Sequence, residues 1–173
     1  MKNEFIIALP PILPKRAHTL ILGSIPGAKS LELNQYYAHP QNQFWRFMGD
    51  IFGASPSIPY EERIKVLKQK GIAVWDVLKA CNRYGSMDAD IKNPVVNDFE
   101  CFYQDNPSIK LVVFDSSSAE NFYKRLVQPT LSQELIYRRV PSPSPAHARM
   151  NYEAKRILWM EALSDRVVYR NSF

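Results

Sequence analysis

Three stretches of this chain gather side chains that can do chemistry on a flat, polar ligand. The first is Gly23-Ser24-Ile25-Pro26-Gly27, a turn bracketed by glycines whose missing Cβ atoms let backbone N–H groups approach an anion or a planar ring. The second is "QYYAHPQNQFW", where Tyr36 and Tyr37 offer rings for stacking and His39 and Asn42 offer hydrogen bonds. Phe44 and Trp45 at its end read as core. The third is "VPSPSPAHAR", stiffened by three prolines and carrying Ser142, Ser144, Ala146, His147 and Arg149, donors suited to phosphate oxygens. Asp115-Ser116 adds a carboxylate and a hydroxyl directly after an apolar run.

Other chemistries fit these residues less well. Ser24, Asp76 and His147 are the residue types of a hydrolase triad, but Gly-x-Ser-x-Gly is absent and Pro26 has no N–H to give an oxyanion. The three histidines, His18, His39 and His147, share no helix-face spacing, and Cys81 and Cys101 are too few for a four-cysteine site. No metal and no cofactor are expected. Gly-x-Gly-x-x-Gly and P-loop patterns are also missing, which disfavours dinucleotide and nucleoside triphosphate binding.

Positioning these loops requires a scaffold of strand ends. The chain has 173 residues, 46% of them hydrophobic and 12% aromatic, enough for one core and one domain spanning 1–173. Residues 19–22 form a buried strand ending at Gly23, and "IAVWD", "KLVVFD" and residues 134–140 supply three more. Helical spacing marks residues 42–52, about 60–70, "SSSAENFYKRLV" with a serine cap and Glu120 near its third position, and 151–163 with Ala154, Ile157 and Leu158 facing inward. Asn97 is placed as a cap for a further helix. The lead-in "ALPPILPKRAH" is extended, its prolines forbidding a helix, with Ile12 and Leu13 covering an edge of the core. Strand–helix alternation predicts a three-layer α/β/α fold with a mostly parallel four- or five-stranded sheet. Ligands of such sheets bind at the carboxyl ends of strands, where "GSIPG", "WDVLKACNRYGSMD", "FDSSS" and "PSPSPAHA" all fall.

Charge and hydropathy bound the partners. The net charge is +5, and from residue 138 to 170 seven basic residues (Arg138, Arg139, Arg149, Lys155, Arg156, Arg166, Arg170) stand against three acids, a balance compatible with nucleic acid. The apolar run at residues 5–13 is broken by Pro10 and Pro11, so neither a signal peptide nor a membrane span is expected. Two cysteines and no targeting segment point to the cytoplasm.

Taken together, these blocks resemble the uracil-DNA glycosylase superfamily, and within it the hypoxanthine, or deoxyinosine, DNA glycosylase branch. The match runs through "LPPILPKRAHTLILGSIPGAKSLELNQYYAHPQNQFWRFMGDIFG", "GIAVWDVLKACNRYGSMDADI" and "VPSPSPAHAR" in the family's order. "YAHPQNQFW" is also similar to the mismatch-specific uracil glycosylases. The resemblance implies hydrolysis of an N-glycosidic bond in double-stranded DNA after a damaged or mismatched base is flipped into a pocket. It further implies a monomer acting on the nucleoid, with hypoxanthine the first substrate and uracil the second. Ile25 stands where other branches carry a catalytic Asp or Asn, so the water-positioning role passes to Asn42. Gly27 replaces an aromatic that excludes larger bases, Tyr37 aligns with the stacking ring, and His39 braces the pocket or touches phosphate. Ser142, Ser144, Ala146, His147 and Arg149 fall on the loop that grips the backbone. Lys29 flanks the first turn rather than facing the site, so water is the expected nucleophile and strand cleavage is not.

One departure bears on substrate. Relatives end the third strand in Asn-Gly, and this chain has Asp115-Ser116; an ionised Asp accepts a hydrogen bond from a ring N–H but repels the neighbouring carbonyl oxygen. Unless Asp115 is protonated or turned away, either the substrate spectrum is shifted or the hydroxyls and backbone amides of residues 116–118 supply the donor; as a structural alternative, Asp115 caps the following helix. Val140 stands where many relatives carry His or Asn before the loop's first proline, and Ile25, Asp115 and Val140 together motivate a second reading, a catalytically weak or inactive nucleic-acid-binding module on the same scaffold. Asp76 and Arg83 frame the second loop.

Overall fold

The computed structural model describes residues 4–164. Two basic positions singled out above, Arg166 and Arg170, lie outside them. Strands β2 (Thr19–Gly23), β3 (Ile72–Asp76), β6 (Leu111–Phe114) and β7 (Ile136–Arg139) form a parallel sheet in the order β3-β2-β6-β7. Its central strands are buried on both faces, so they read as continuous apolar runs. Along β2, Leu20 and Leu22 enter one core cluster while Ile21 enters the other; along β6, Val112 and Phe114 alternate with Leu111 and Val113 in the same way. That period of two sorts the helices into layers. Helices α2 (Phe44–Phe52), α3 (Tyr60–Gln69) and α6 (Tyr152–Leu163) cover one face. Helices α4 (Phe99–Asp105) and α5 (Ser117–Leu126) cover the other.

The expected three-layer architecture is therefore present, with one addition. The stretch after Asp76 is not a loop: Leu78–Arg83 is strand β4, paired antiparallel between β1 (Glu4–Ile7) and β5 (Lys92–Val96) in a second, three-stranded sheet. Leu78 and Cys81 pack into the α4–α5 core cluster, whereas their polar neighbours Lys79 and Asn82 disguised the strand. Strands and helices thus do not alternate strictly. The proline-rich lead-in lies extended over the sheet edge, as expected, with Ile12 bridged antiparallel to Val74.

Side-chain caps start three of the six α-helices among the described residues. Ser116 accepts from the Ala119 N–H and Asn151 from the Ala154 N–H, each satisfying an orphan donor of the first turn. With Ser116 as the cap, Glu120 falls at the fourth helical position, one later than expected, and Asp115 is left free of capping duty. The cap of α4 is Asp98, not Asn97; Asn97 is buried and donates instead to the Asp76 carbonyl at 2.8 Å. Helix α6 also turns differently from its expected face. Ile157 and Leu158 are exposed and Ala154 only partly covered, while Lys155, Trp159, Ala162 and Leu163 are buried. A lysine on the inward stripe breaks the apolar pattern that the sequence reading followed.

Candidate active site

A cavity of about 630 Å³ opens at the carboxyl ends of β3, β2 and β6. Its floor is one row of the sheet. Gly23 is in register with Asp76, and Leu22 with Phe114, so Asp76, Gly23 and Asp115 end three adjacent strands side by side. Parity of the strands sends Asp76 and Asp115 to the α2 face, and both are buried, 4% and 8% exposed. Between them only glycine fits. A Cβ on Gly23 would stand 2.8 Å from Asp76 Oδ1 and 3.2 Å from Asp115 Oδ2.

The wall is the segment before α2. Tyr36 is committed to structure: its hydroxyl donates to the Leu9 and Pro10 carbonyls, its N–H to the Tyr60 hydroxyl, and its carbonyl accepts from Trp45 Nε1. Those bonds hold Tyr37 in a left-handed conformation, φ 54°, which costs energy for a non-glycine residue. The strain turns the Tyr37 ring flat onto Phe44, 3.8 Å between centroids, with its hydroxyl donating to Asp115 Oδ2 at 2.9 Å. Asn42 follows, its Oδ1 accepting from the Phe44 N–H at 2.9 Å. Because a backbone N–H must meet oxygen, that bond fixes the carboxamide orientation and leaves the Nδ2 protons and one oxygen lone pair for the cavity. His39 is exposed at the rim, its Nδ1 accepting from the Gln41 N–H.

Opposite stands the turn after β2, leading into the short helix α1 (Ala28–Leu33). Ser24 donates to Asp88 at 2.7 Å and the Pro26 carbonyl accepts from Arg83 Nη2 at 2.6 Å. No histidine takes the Ser24 proton, so the hydrolase arrangement weighed above is not built. Ile25 is buried in the core. Gly27 has an ordinary φ of −72°, and a Cβ there would meet only Ser86, at 3.6 Å. Its missing side chain is not a backbone necessity; it opens space. Lys29 borders the cavity with its ammonium held by Glu32 at 2.8 Å.

The roof is residues 141–147, whose carbonyls are held from below. Trp159 Nε1 donates to Pro141, the Gln43 N–H to Pro143, and Lys155, 2% exposed, reaches both Ser142 and His147 at 2.8 Å. Ser142 Oγ accepts from the Ser144 N–H and Ser144 Oγ from the Ala146 N–H, so both hydroxyl protons point elsewhere and are available as donors. Ser142, Ser144, Ala146 and His147 line the cavity; Arg149 is exposed outside it. Much of the basic excess is spent internally: Arg138 holds the Glu161 and Ala162 carbonyls, Arg139 pairs with Glu120, and Arg156 pairs with Glu153.

The sheet ends thus bring together the candidate site residues of the three loops with Asp76, Asp115 and Ser116, but not Arg83, Val140 or Arg149. They also add Asp88, Ser86 and Met87. The last three sit beyond β4 in the polar stretch flagged as functional, but no spacing rule tied them to the other loops. Among the described residues no three His, Cys, Asp or Glu side chains group to hold a metal ion, and no helix is long and apolar enough to cross a membrane.

Comparison with known proteins places this cavity in a family. Residues 10–165 match the Uracil DNA glycosylase superfamily. The chain belongs to that superfamily. A hypoxanthine DNA glycosylase of Methanosarcina barkeri is 34% identical over 154 residues, 88% of this chain and 94% of the relative. One from Methanosarcina acetivorans is 33% identical over 155 residues, 89% and 94% of the two chains. The solution NMR structure of a Methanosarcina acetivorans protein described as a candidate uracil DNA glycosylase superposes with a TM-score of 0.76 at 30% identity, covering 93% of this chain and all of that one. The enzyme class expected from the sequence, a DNA glycosylase, stands, as does the uracil-DNA glycosylase-like fold.

Proposed function

We propose that this glycosylase removes hypoxanthine, and secondarily uracil, from double-stranded DNA, acting as a monomer and a monofunctional enzyme on the nucleoid in the cytoplasm. The observation that carries the reading is convergence: a base-sized cavity at the strand ends meets Tyr37, Asn42, the open Gly27 and the anchored 141–147 loop, in a chain over a third identical to a hypoxanthine glycosylase. The volume admits a purine as well as a pyrimidine.

The chemistry follows from the groups. A flipped base enters with one face on Tyr37, whose other face is already backed by Phe44; such stacking is worth about 1–3 kcal/mol. Asn42, with its oxygen's remaining lone pair, orients a water toward the sugar carbon as the glycosidic bond lengthens. Bond cleavage moves negative charge onto the base, and donors aimed at its carbonyl stabilise that charge. Ser142 and Ser144 donate to backbone phosphates, and Arg149 adds a sequence-independent attraction. With the Lys29 ammonium occupied by Glu32, water and not an amine attacks, which is why no strand cleavage is expected.

The test is a denaturing gel on labelled duplexes carrying one hypoxanthine, uracil, xanthine or G·T mismatch, split with and without alkali. Alkali-dependent cleavage at hypoxanthine is expected. Binding without cleavage at any lesion would replace this reading with that of a nucleic-acid-binding module.

A further inference from the structure

Asp76 and Asp115 face each other across Gly23, and among the described residues no cation pairs with either. The nearest guanidinium, that of Arg83, is spent on the Gly85 carbonyl through Nε at 2.9 Å and on Pro26 through Nη2, while Nη1 stands 3.9 Å from Asp88. Asp115 Oδ2 receives the Tyr37 hydroxyl, but Asp76 Oδ2 is buried at the cavity and has no partner. The other titratable groups lining the cavity are Asp88 from beyond β4, Tyr36 from the wall, Lys29 from the turn after β2 with its ammonium held by Glu32, and His39 and His147 at the rim. Two buried carboxyls this close, without a counter-ion, do not both ionise.

We infer that Asp76 and Asp115 hold one proton between them and read the lactam edge of the flipped base jointly, the neutral carboxyl donating to the ring carbonyl and the ionised one accepting from the adjacent N–H. This rests on the glycosylase reading and names the specificity determinants within it. A hypoxanthine edge presents N1–H beside the single C6 carbonyl, whereas uracil and xanthine present an N–H between two carbonyls, of which the pair engages one. A lone asparagine amide offers the matching acceptor and donor; here two side chains divide the task, which explains how Asp115 works where relatives carry Asn. The proton is not transferred. It stays on the carboxyl as the base gains negative charge, and a second ionised carboxylate would oppose that charge. Burial pushes both groups in the required direction: Asp115 up to about 7, and Asp76 well above the usual carboxylate range, with the Asp115 and Asp88 charges adding to burial and Arg83 opposing it.

Two measurements test it. Carboxyl ¹³C shifts of labelled protein followed with pH should show one of the two groups still protonated at about pH 7; both titrating below about pH 5 would overturn the inference whatever the activity. Single-turnover excision from a hypoxanthine duplex should fall with rising pH once the pair loses its one proton, by about tenfold per pH unit. Asp76→Asn, which keeps a donor and cannot ionise, should flatten that limb and keep at least about a tenth of the low-pH rate, whereas Asp76→Ala should lose about a hundredfold at unchanged duplex affinity. An Asp76→Asn enzyme retaining the wild-type limb, or an Asp76→Ala enzyme as fast as wild type, would overturn the shared reading of the base. A protonated pair in a protein that excises nothing at any pH would overturn the glycosylase reading on which it depends.

Discussion

The floor and the roof of the cavity are built on opposite principles. The floor buries two carboxyls at the ends of the least exposed strands, where both are fixed by the sheet and the low dielectric magnifies their charge, and the strained Tyr37 of the wall bonds to one of them. The roof is exposed and proline-stiffened, and its register comes from outside: one buried lysine, one tryptophan and one backbone N–H hold four of its carbonyls. Rate and base choice should therefore reside in the floor and wall, and affinity for duplex in the roof.

The sharpest way to break this division is Asn42→Ala. Single-turnover excision should fall by at least about a hundredfold while duplex affinity, measured by fluorescence anisotropy, stays within about twofold, because the amide acts in the transition state. A matching loss of affinity would assign Asn42 to the roof's function instead. Lys155→Met should do the reverse. It leaves the Ser142 and His147 carbonyls without their charged donor, so Kd should rise about tenfold, as losing hydrogen bonds to a charged group worth about 1.5–3 kcal/mol allows, with the rate at saturation changed less than about threefold.

The floor also predicts a stability signature. Asp115 is raised to about 7 in the folded protein by burial, above the 3.8 of a free carboxyl. At Asp115 the native state then binds more protons than the unfolded one between those values, so that group's contribution to stability is fully present below about 3.8 and lost as pH rises through about 7. Asp115→Asn should remove most of that decline, raising Tm by several degrees at about pH 8 and by little at about pH 4; a parallel shift at both would detach Asp115 from the titration. Smallest of all should be Arg149→Ala: a few-fold weaker binding to every sequence, with the slope of log K against log salt shallower by about one. A sequence-selective change would contradict its placement on phosphate.

How far the sequence reaches can be judged residue by residue. "TLILG" and "KLVVFD" were legible as buried parallel strands because burial on both faces leaves unbroken apolar runs. "LKACNR" was not, because a strand of a half-covered sheet alternates polar with apolar and resembles a loop when it holds an asparagine and glycine and serine follow. In α6 the inward position of Lys155 was hidden by its charge; its reason for burial is two carbonyls on a loop whose nearest is eight residues away. Gly23 looked like a turn glycine, and in the structure it is the gap that admits two carboxyls.

The order of the motifs, the capping serine and asparagine, the core aromatics Phe44 and Trp45, and the family itself are properties of local sequence, because turn chemistry, helix caps and hydrophobic periodicity act over a few residues. That Asp76 and Asp115 become neighbours, that Asp88 meets Ser24, and that Lys155 governs a loop is decided only by strand order and register. Those contacts join residues 39, 64 and 13 positions apart at the widest reach of each, and the free energy of a buried charge depends on what folding has placed beside it, which no spacing rule along the chain can supply.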